Sequence, residues 1–200
     1  MSVATESLGR RARQKQDKLA RITAAASELF ATRGVDEVTT QQIAEAADIG
    51  TGTLFLYAKT KGELLLLVQN AHYVDALARG RAAAAREATA VDAVLALLAP
   101  IAECNRTQVD NGRTYLREMV FGDPAEPHHA EALSIVAQTE HAVAAVLVER
   151  TRVEAGQAAT LARVISGIQF LELAASVNRD ATVPELLSSI RGQVAAILPG

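Results

Sequence analysis

Residues 39–58 read TTQQIAEAADIGTGTLFLYA, and the order of residue types in this stretch decides the fold. Thr39 followed three positions later by Gln42 is a capping box, which starts a helix at Thr40. That helix runs to about Ala47 and places Ile43, Ala44 and Ala47 on one inner face. Asp48-Ile49-Gly50 is a turn, with Ile49 as its apolar plug. A second short helix covers Thr51 to about Tyr57 and is anchored by Leu54. Two short helices joined by about three residues make a helix-turn-helix, whose second helix can enter a major groove. Ala44 and Ala47 are small, so the two helices can approach closely. The outward residues of the second helix are Thr51, Gly52, Thr53, Phe55 and Tyr57. They suit phosphate hydrogen bonds, close backbone approach and thymine-methyl contact. The start of the helix at Thr51 also offers backbone N–H groups to a phosphate.

On the N-terminal side, Leu19, Ile22, Ala26, Leu29 and Phe30 form one apolar stripe. It predicts a helix over 14–32, stopped by Gly34. Ahead of it, Arg10, Arg11, Arg13, Lys15, Lys18 and Arg21 stand against the single acid Asp17. On the C-terminal side, Thr60-Lys61-Gly62-Glu63 reads as a second capping box, opening a long helix to about Arg86. Five further helices are expected: 89–110 with a bend or break at Pro100, 113–121, 127–154, 157–177, and a last one capped at Thr182. No strand pattern and no solenoid period is present. The expected fold class is all-α, with about nine helices.

Composition agrees. Of 200 residues, 50% are hydrophobic and 22% charged, which is the balance of a folded soluble chain. Alanine is abundant while aromatics are only 4%, which favours helices over sheets. Cys104 is the one cysteine, which excludes an internal disulfide framework and an all-cysteine zinc cage. No run reaches the length of an apolar membrane span, and the polar start followed by basic residues is unlike a secretory signal. A cytoplasmic protein with no membrane partner is expected. The net charge of −3 argues against a nucleic-acid partner only when read over the whole chain. Residues 1–61 hold nine basic and seven acidic residues, a net of +2; residues 62–200 hold eleven and sixteen, a net of −5. Such asymmetry fits either a nucleic-acid-facing end or a solvated, disordered basic tail. There is no Gly-rich phosphate loop, nucleophile elbow, metal-ligand cluster or spaced His/Asp/Ser set. No catalysis, metal or cofactor is therefore expected. His128-His129 are adjacent, which does not suit two ligands of one metal on a helix.

The N-terminal segment resembles the DNA-binding domain of the TetR family of bacterial transcriptional regulators. The residues that carry the resemblance are Ala25-Ala26-Ser27-Glu28-Leu29-Phe30, Gly34, Thr39-Thr40, Ile43-Ala44, Ala47, Gly52-Thr53-Leu54, Tyr57, Thr60-Lys61 and Leu64, spread over about Leu19–Val68. Three positions depart from the family pattern. Asp48 replaces a turn glycine and tolerates the left-handed conformation. Phe55 replaces a tyrosine, so a hydroxyl contact is lost. Ala58 replaces a bulkier apolar residue. The resemblance implies that Thr40, Gln41, Thr51, Thr53, Tyr57 and Lys61 face DNA, with Gly52 allowing close approach. Gln41 and Thr51 are assigned base-edge or mixed roles, and Thr40, Tyr57 and Lys61 phosphate contacts. Arg10, Arg11 and Arg13 of a basic flexible arm over 1–13, with Lys15 just after it, are expected to reach along the DNA backbone or into the minor groove. The helix-turn-helix domain spans 14–60.

For 61–200 the resemblance implies a helical effector-binding and dimerisation domain. Pocket candidates are Cys104, Tyr115, Phe121, Gln138, His141 and Gln169. Dimer candidates on the last two helices are Leu161, Ile165, Ile168, Leu186, Ile190 and Val194. The implied function is that of a dimeric, ligand-responsive repressor that binds double-stranded operator DNA and releases it when a small-molecule effector binds. The competing readings are a helical sensor or carrier that does not bind DNA, and an enzyme on a helical scaffold.

Overall fold

A computed structural model describes residues 2–199, with side chains from 12 to 199. The elements are α1 (Ser2–Arg33), α2 (Thr40–Ala46), α3 (Thr51–Leu54), α4 (Lys61–Ala84), α5 (Ala90–Arg106), α6 (Val109–Phe121), α7 (Pro127–Arg150), α8 (Ala155–Ala174) and α9 (Val183–Ile197), with a 3₁₀ turn at Ser176–Asn178. No strand is present among the described residues.

The helix-turn-helix forms as its sequence dictates. Thr39 and Gln42 complete their capping box, and Ile43, Ala44, Ala47 and Leu54 are buried against Ile22, Ala26 and Phe30 of α1. Gly34 ends α1 in the left-handed region at φ 79°, and Asp48 is left-handed in the turn at φ 52°. Asp48 Oδ2 also accepts from Arg21 at 3.2 Å, an exposed pair of little energetic weight. A β-branched side chain tolerates this conformation poorly. Asp48→Val is expected to cost about 1–2 kcal/mol, whereas Asp48→Gly leaves stability within a few tenths of wild type. Urea denaturation of the two variants checks this.

The structure departs from the sequence reading at several points. α1 begins at Ser2, so the backbone is helical through the region expected to be a flexible arm. That region contains no proline, and Ala4, Leu8, Arg10, Arg11, Ala12 and Arg13 are good helix formers. The side chains of Arg10 and Arg11 lie outside the described residues, while Arg13 and Lys15 are exposed. The second helix of the motif is α-helical only to Leu54. It reaches Tyr57 through tighter turns, with Leu56 N–H donating to Thr53 at 3.1 Å and Tyr57 N–H to Leu54 at 2.9 Å. α5 runs without a break through Pro100, which is buried. α7 is long and apolar enough on average to cross a membrane, but it carries Glu131 and Glu140 and buries one side against the body.

α4 is the central rod. It packs on α1 at one end and on α5, α6 and α7 along its length. Four of the residues expected at a dimer interface, Ile165, Leu186, Ile190 and Val194, are buried inside the single chain. Their stripe faces the body of the same protomer, because α9 lies across α5 and α8. Leu161 and Ile168 are half-buried. The apolar side chains that α8 does present outward are Val164 and Leu171, 46% and 65% exposed.

Candidate DNA interface and effector cavity

The residues expected to face DNA lie together on α2, α3 and the start of α4. Gln41 is exposed and its amide donates to Glu45 at 2.9 Å. Thr40, Thr51 and Thr53 are half-buried. Gly52 is exposed, and a Cβ built on it meets nothing within 4 Å. Tyr57 is half-buried, with its hydroxyl 3.4 Å from the Lys15 carbonyl, so its ring also ties the motif to α1. Lys61 Nζ donates to the Asp36 carbonyl at 3.3 Å. This bond links the loop after α1 to the start of α4.

The exit from α3 is fastened to the N-terminus of α7. Lys59 pairs with Glu126, and His128 Nε2, when it carries the proton, donates to the Tyr57 carbonyl at 3.0 Å. The third fastening comes from Glu63. Thr60 caps α4 as expected, but Glu63 does not close the capping box. Its Oε1 instead accepts from the His129 backbone N–H at 3.1 Å. α7 lacks a side-chain cap of its own, and its second position is Pro-preceded, so a carboxylate from α4 caps α7. Glu63 is 5% exposed and its Oε2 has no protein partner. Burial pushes its carboxyl above the usual range, against the opposing pull of His128 and of the backbone donors. A carboxyl raised in the folded state contributes stability at low pH that is lost as pH rises through its folded pKa. Glu63→Gln keeps an acceptor for the cap and removes the buried charge. It is expected to raise the unfolding midpoint at neutral pH, with the gain shrinking on acidification; thermal unfolding at both pH values checks this.

A second tie joins the two regions at α6. Asn111 is buried and serves both ends of the loop after α1: its amide donates to Phe30 O at 2.8 Å, and its Oδ1 accepts from Val35 N at 2.7 Å.

Behind these ties lies a small apolar cavity of about 60 Å³, walled by α4, α5, α6, α7 and α8. Tyr115 and Gln169, both expected pocket residues, line it. Tyr73 stacks on Tyr115 with ring centroids 4.2 Å apart. The Tyr115 hydroxyl donates to Asn70 Oδ1 at 2.9 Å, and Asn70 Nδ2 donates to the His128 carbonyl at 2.9 Å. Asn105 Nδ2 donates to the Tyr73 hydroxyl at 2.9 Å. Burial pushes both phenols above their ordinary range, so they stay protonated. A continuous chain of contacts thus runs from the cavity wall, through Tyr115, Asn70 and His128, to the carbonyl of Tyr57.

The other pocket candidates fall elsewhere. Cys104 lines a separate polar groove beside Phe30 and His72, and burial pushes its thiol up to about 11, which keeps it protonated and unreactive. Phe121 is 79% exposed and borders a surface groove. Gln138 and His141 are exposed on the outer side of α7, whose inner side carries Ala132, Ile135, Thr139, Ala142 and Val143. Neither lines the apolar cavity. Asn70, Asn111, Glu63 and His128 were not expected from sequence. Each acts on a distant element, and no local spacing signals that.

Residues 22–68 match the family model described as bacterial regulatory proteins, tetR family. No curated protein matches the sequence. Among solved structures, the TetR-family transcriptional repressor FadR of Thermus thermophilus, in complex with lauroyl-CoA, aligns at TM-score 0.68 and 23% identity, covering 90% of this chain and 92% of that one. A TetR-family transcriptional regulator from Streptomyces coelicolor aligns at TM-score 0.61 and 21% identity, covering 100% and 97%. The transcriptional regulator FadR from Bacillus subtilis, in complex with stearoyl-CoA, aligns at TM-score 0.60 and 16% identity, covering 90% and 98%. The similarity in fold therefore extends over the whole chain, and the family match itself covers the helix-turn-helix segment, residues 22–68, which is of the kind found in bacterial regulatory proteins of the tetR family.

Proposed function

We propose that this protein is a dimeric, ligand-responsive transcriptional repressor of the cytoplasm, which releases operator DNA when a small molecule binds the domain formed by 61–200. In this reading Thr51, Gly52, Thr53 and Gln41 meet the major groove, and Thr40, Tyr57 and Lys61 hold phosphates. Arg10, Arg11, Arg13 and Lys15 follow the backbone from α1. The observation that carries the ligand response is the fastening of the α3 exit to α7, the same helix that presents Ile135, Val136 and Thr139 to the cavity. An effector that moves α7 or Tyr115 then changes the setting of α3. Two of the similar structures hold acyl-CoA, which supports an effector role for this helical domain. Dimerisation has a geometric reason, since paired recognition helices must stand about 34–36 Å apart, or a multiple of this, to read two half-sites. The outward apolar side chains of α8, Val164 and Leu171, with half-buried Leu161 and Ile168 beside them, form the proposed pairing face.

Genome-wide DNA capture with this protein tests the reading. The expected result is a small set of enriched fragments, bound in a gel shift that weakens steeply with added salt. Capture without sequence enrichment overturns it. Effector coupling is reciprocal, so an effector that binds free and operator-bound protein equally overturns the ligand-responsive part.

A further inference from the structure

We infer that the apolar cavity and the groove beside it, between α6 and α8, form one bipartite site for a medium-length apolar carboxylic acid. The apolar body occupies the cavity, and the carboxylate sits on Arg113 and Arg117. This deepens the effector role proposed above and depends on that reading only for its regulatory consequence.

Phe170 lines both spaces, and so forms their common wall. On one side lies the cavity, with Leu116, Met119 and Ile135 among its apolar walls. On the other lies an open groove of about 330 Å³ bordered by Arg113, Thr114, Arg117 and Phe121. The helix period separates the two chemistries on α6. Arg113 and Arg117, at i and i+4, share the groove side, while Tyr115, Leu116 and Met119 turn inward. A molecule with an apolar end and a charged end therefore meets matching surfaces within one helix turn.

The charge balance sets the size of the head. Asp110, also on the groove, is already held by Arg179 in a two-point bridge at 2.9 and 3.0 Å. Arg117 reaches only its neighbour Glu118, at 3.5 Å, and Arg113 forms no ion pair among the described residues. Two guanidinium groups thus remain with donors for an added anion, and guanidinium matches a carboxylate in two-point geometry. Asp36 on the same groove and Glu118 beside it oppose a head with many negative charges. The cavity, about 60 Å³, is far below the roughly 300–1,000 Å³ of pockets for drug-sized ligands. Rotation of Phe170 and the flexible Met119 joins it to the groove, and the two spaces together take a medium-length unbranched chain. These features favour a free acid over a long acyl thioester with a multiply charged carrier.

Isothermal titration of the full-length protein with octanoate, 1-octanol and octanoyl-CoA tests the site. Octanoate is expected to bind at least tenfold more tightly than either of the others. The double variant Arg113→Ala/Arg117→Ala, altered outside the core, is expected to reduce octanoate to the level of octanol, and Met119→Trp to abolish binding of both. The arginine variant decides the matter even if Met119→Trp does not fold. Equal binding of octanol, tighter binding of octanoyl-CoA, no binding of octanoate, or an unaffected arginine variant each overturns the proposal. Octanoate that binds through the arginines without releasing captured DNA upholds the site and overturns the regulatory reading.

Discussion

Gly80→Ala is expected to destabilise the protein by about 3 kcal/mol or more, the upper end of what overpacking a core costs. In an isolated helix the same substitution would be favourable by about 0.5–1 kcal/mol. The sign reverses because of α5. A Cβ on Gly80 would lie 2.2 Å from the Leu97 carbonyl oxygen and 3.0 Å from its carbon. Both are backbone atoms of a helix interior and cannot rotate away. The only relief is to separate α4 from α5, which loosens Leu77 and Ala84 on one side and Ala93, Val94 and Leu97 on the other, all buried. Gly112 makes a parallel demand, since its Cβ would lie 2.0 Å from the Asn105 carbonyl oxygen. There the cost extends to the site, because Asn105 also holds the Tyr73 hydroxyl. Urea denaturation checks both variants. An unchanged midpoint for Gly80→Ala would mean that α4 and α5 do not meet as closely as described.

These glycines mark where the sequence stops being readable. The capping box at Thr39, the left-handed Asp48 and the buried face of Ile43, Ala44 and Ala47 are all local, and the structure shows each of them. Period alone cannot say what covers an apolar stripe. Ile190 and Val194 look like interface residues and are the underside of α9. The same limit hid Glu63. Its spacing from Thr60 spells a capping box, yet the uncapped N-terminus of α7 takes its carboxylate instead. Gln138 and His141 share a helical face, but it is the outer one. Asn70 and Asn111 gave no signal, because a buried asparagine is defined by partners far along the chain. Even the net charge needed a boundary before it carried meaning. The basic excess of residues 1–61 is on the side of the helix-turn-helix, and the acidic excess is on the body.

Gly52→Leu is expected to reverse that logic, leaving the fold intact while abolishing operator binding. A Cβ at Gly52 meets nothing within 4 Å, so the longer side chain displaces no protein atom. Leucine favours helix over glycine by roughly 0.5–1 kcal/mol, so the unfolding midpoint should hold or rise slightly. The effect falls on whatever approaches α3 from outside. If Thr51 and Thr53 meet the groove as proposed, Gly52 between them is where the helix backbone comes nearest to DNA, and a branched four-carbon side chain holds the two apart. Losing the flanking hydroxyl contacts together with the phosphate bonds of Tyr57 and Lys61 corresponds to at least a hundredfold weaker binding, about 2.7 kcal/mol. Gly52→Ala, with a single added methyl, should fall between wild type and Gly52→Leu. Fluorescence anisotropy on a captured operator fragment, paired with thermal unfolding of the same samples, separates the two effects. Wild-type affinity in Gly52→Leu would turn the outer face of α3 away from DNA and with it the assignment of Thr51 and Thr53; lost affinity with a lowered midpoint would instead assign Gly52 to the fold.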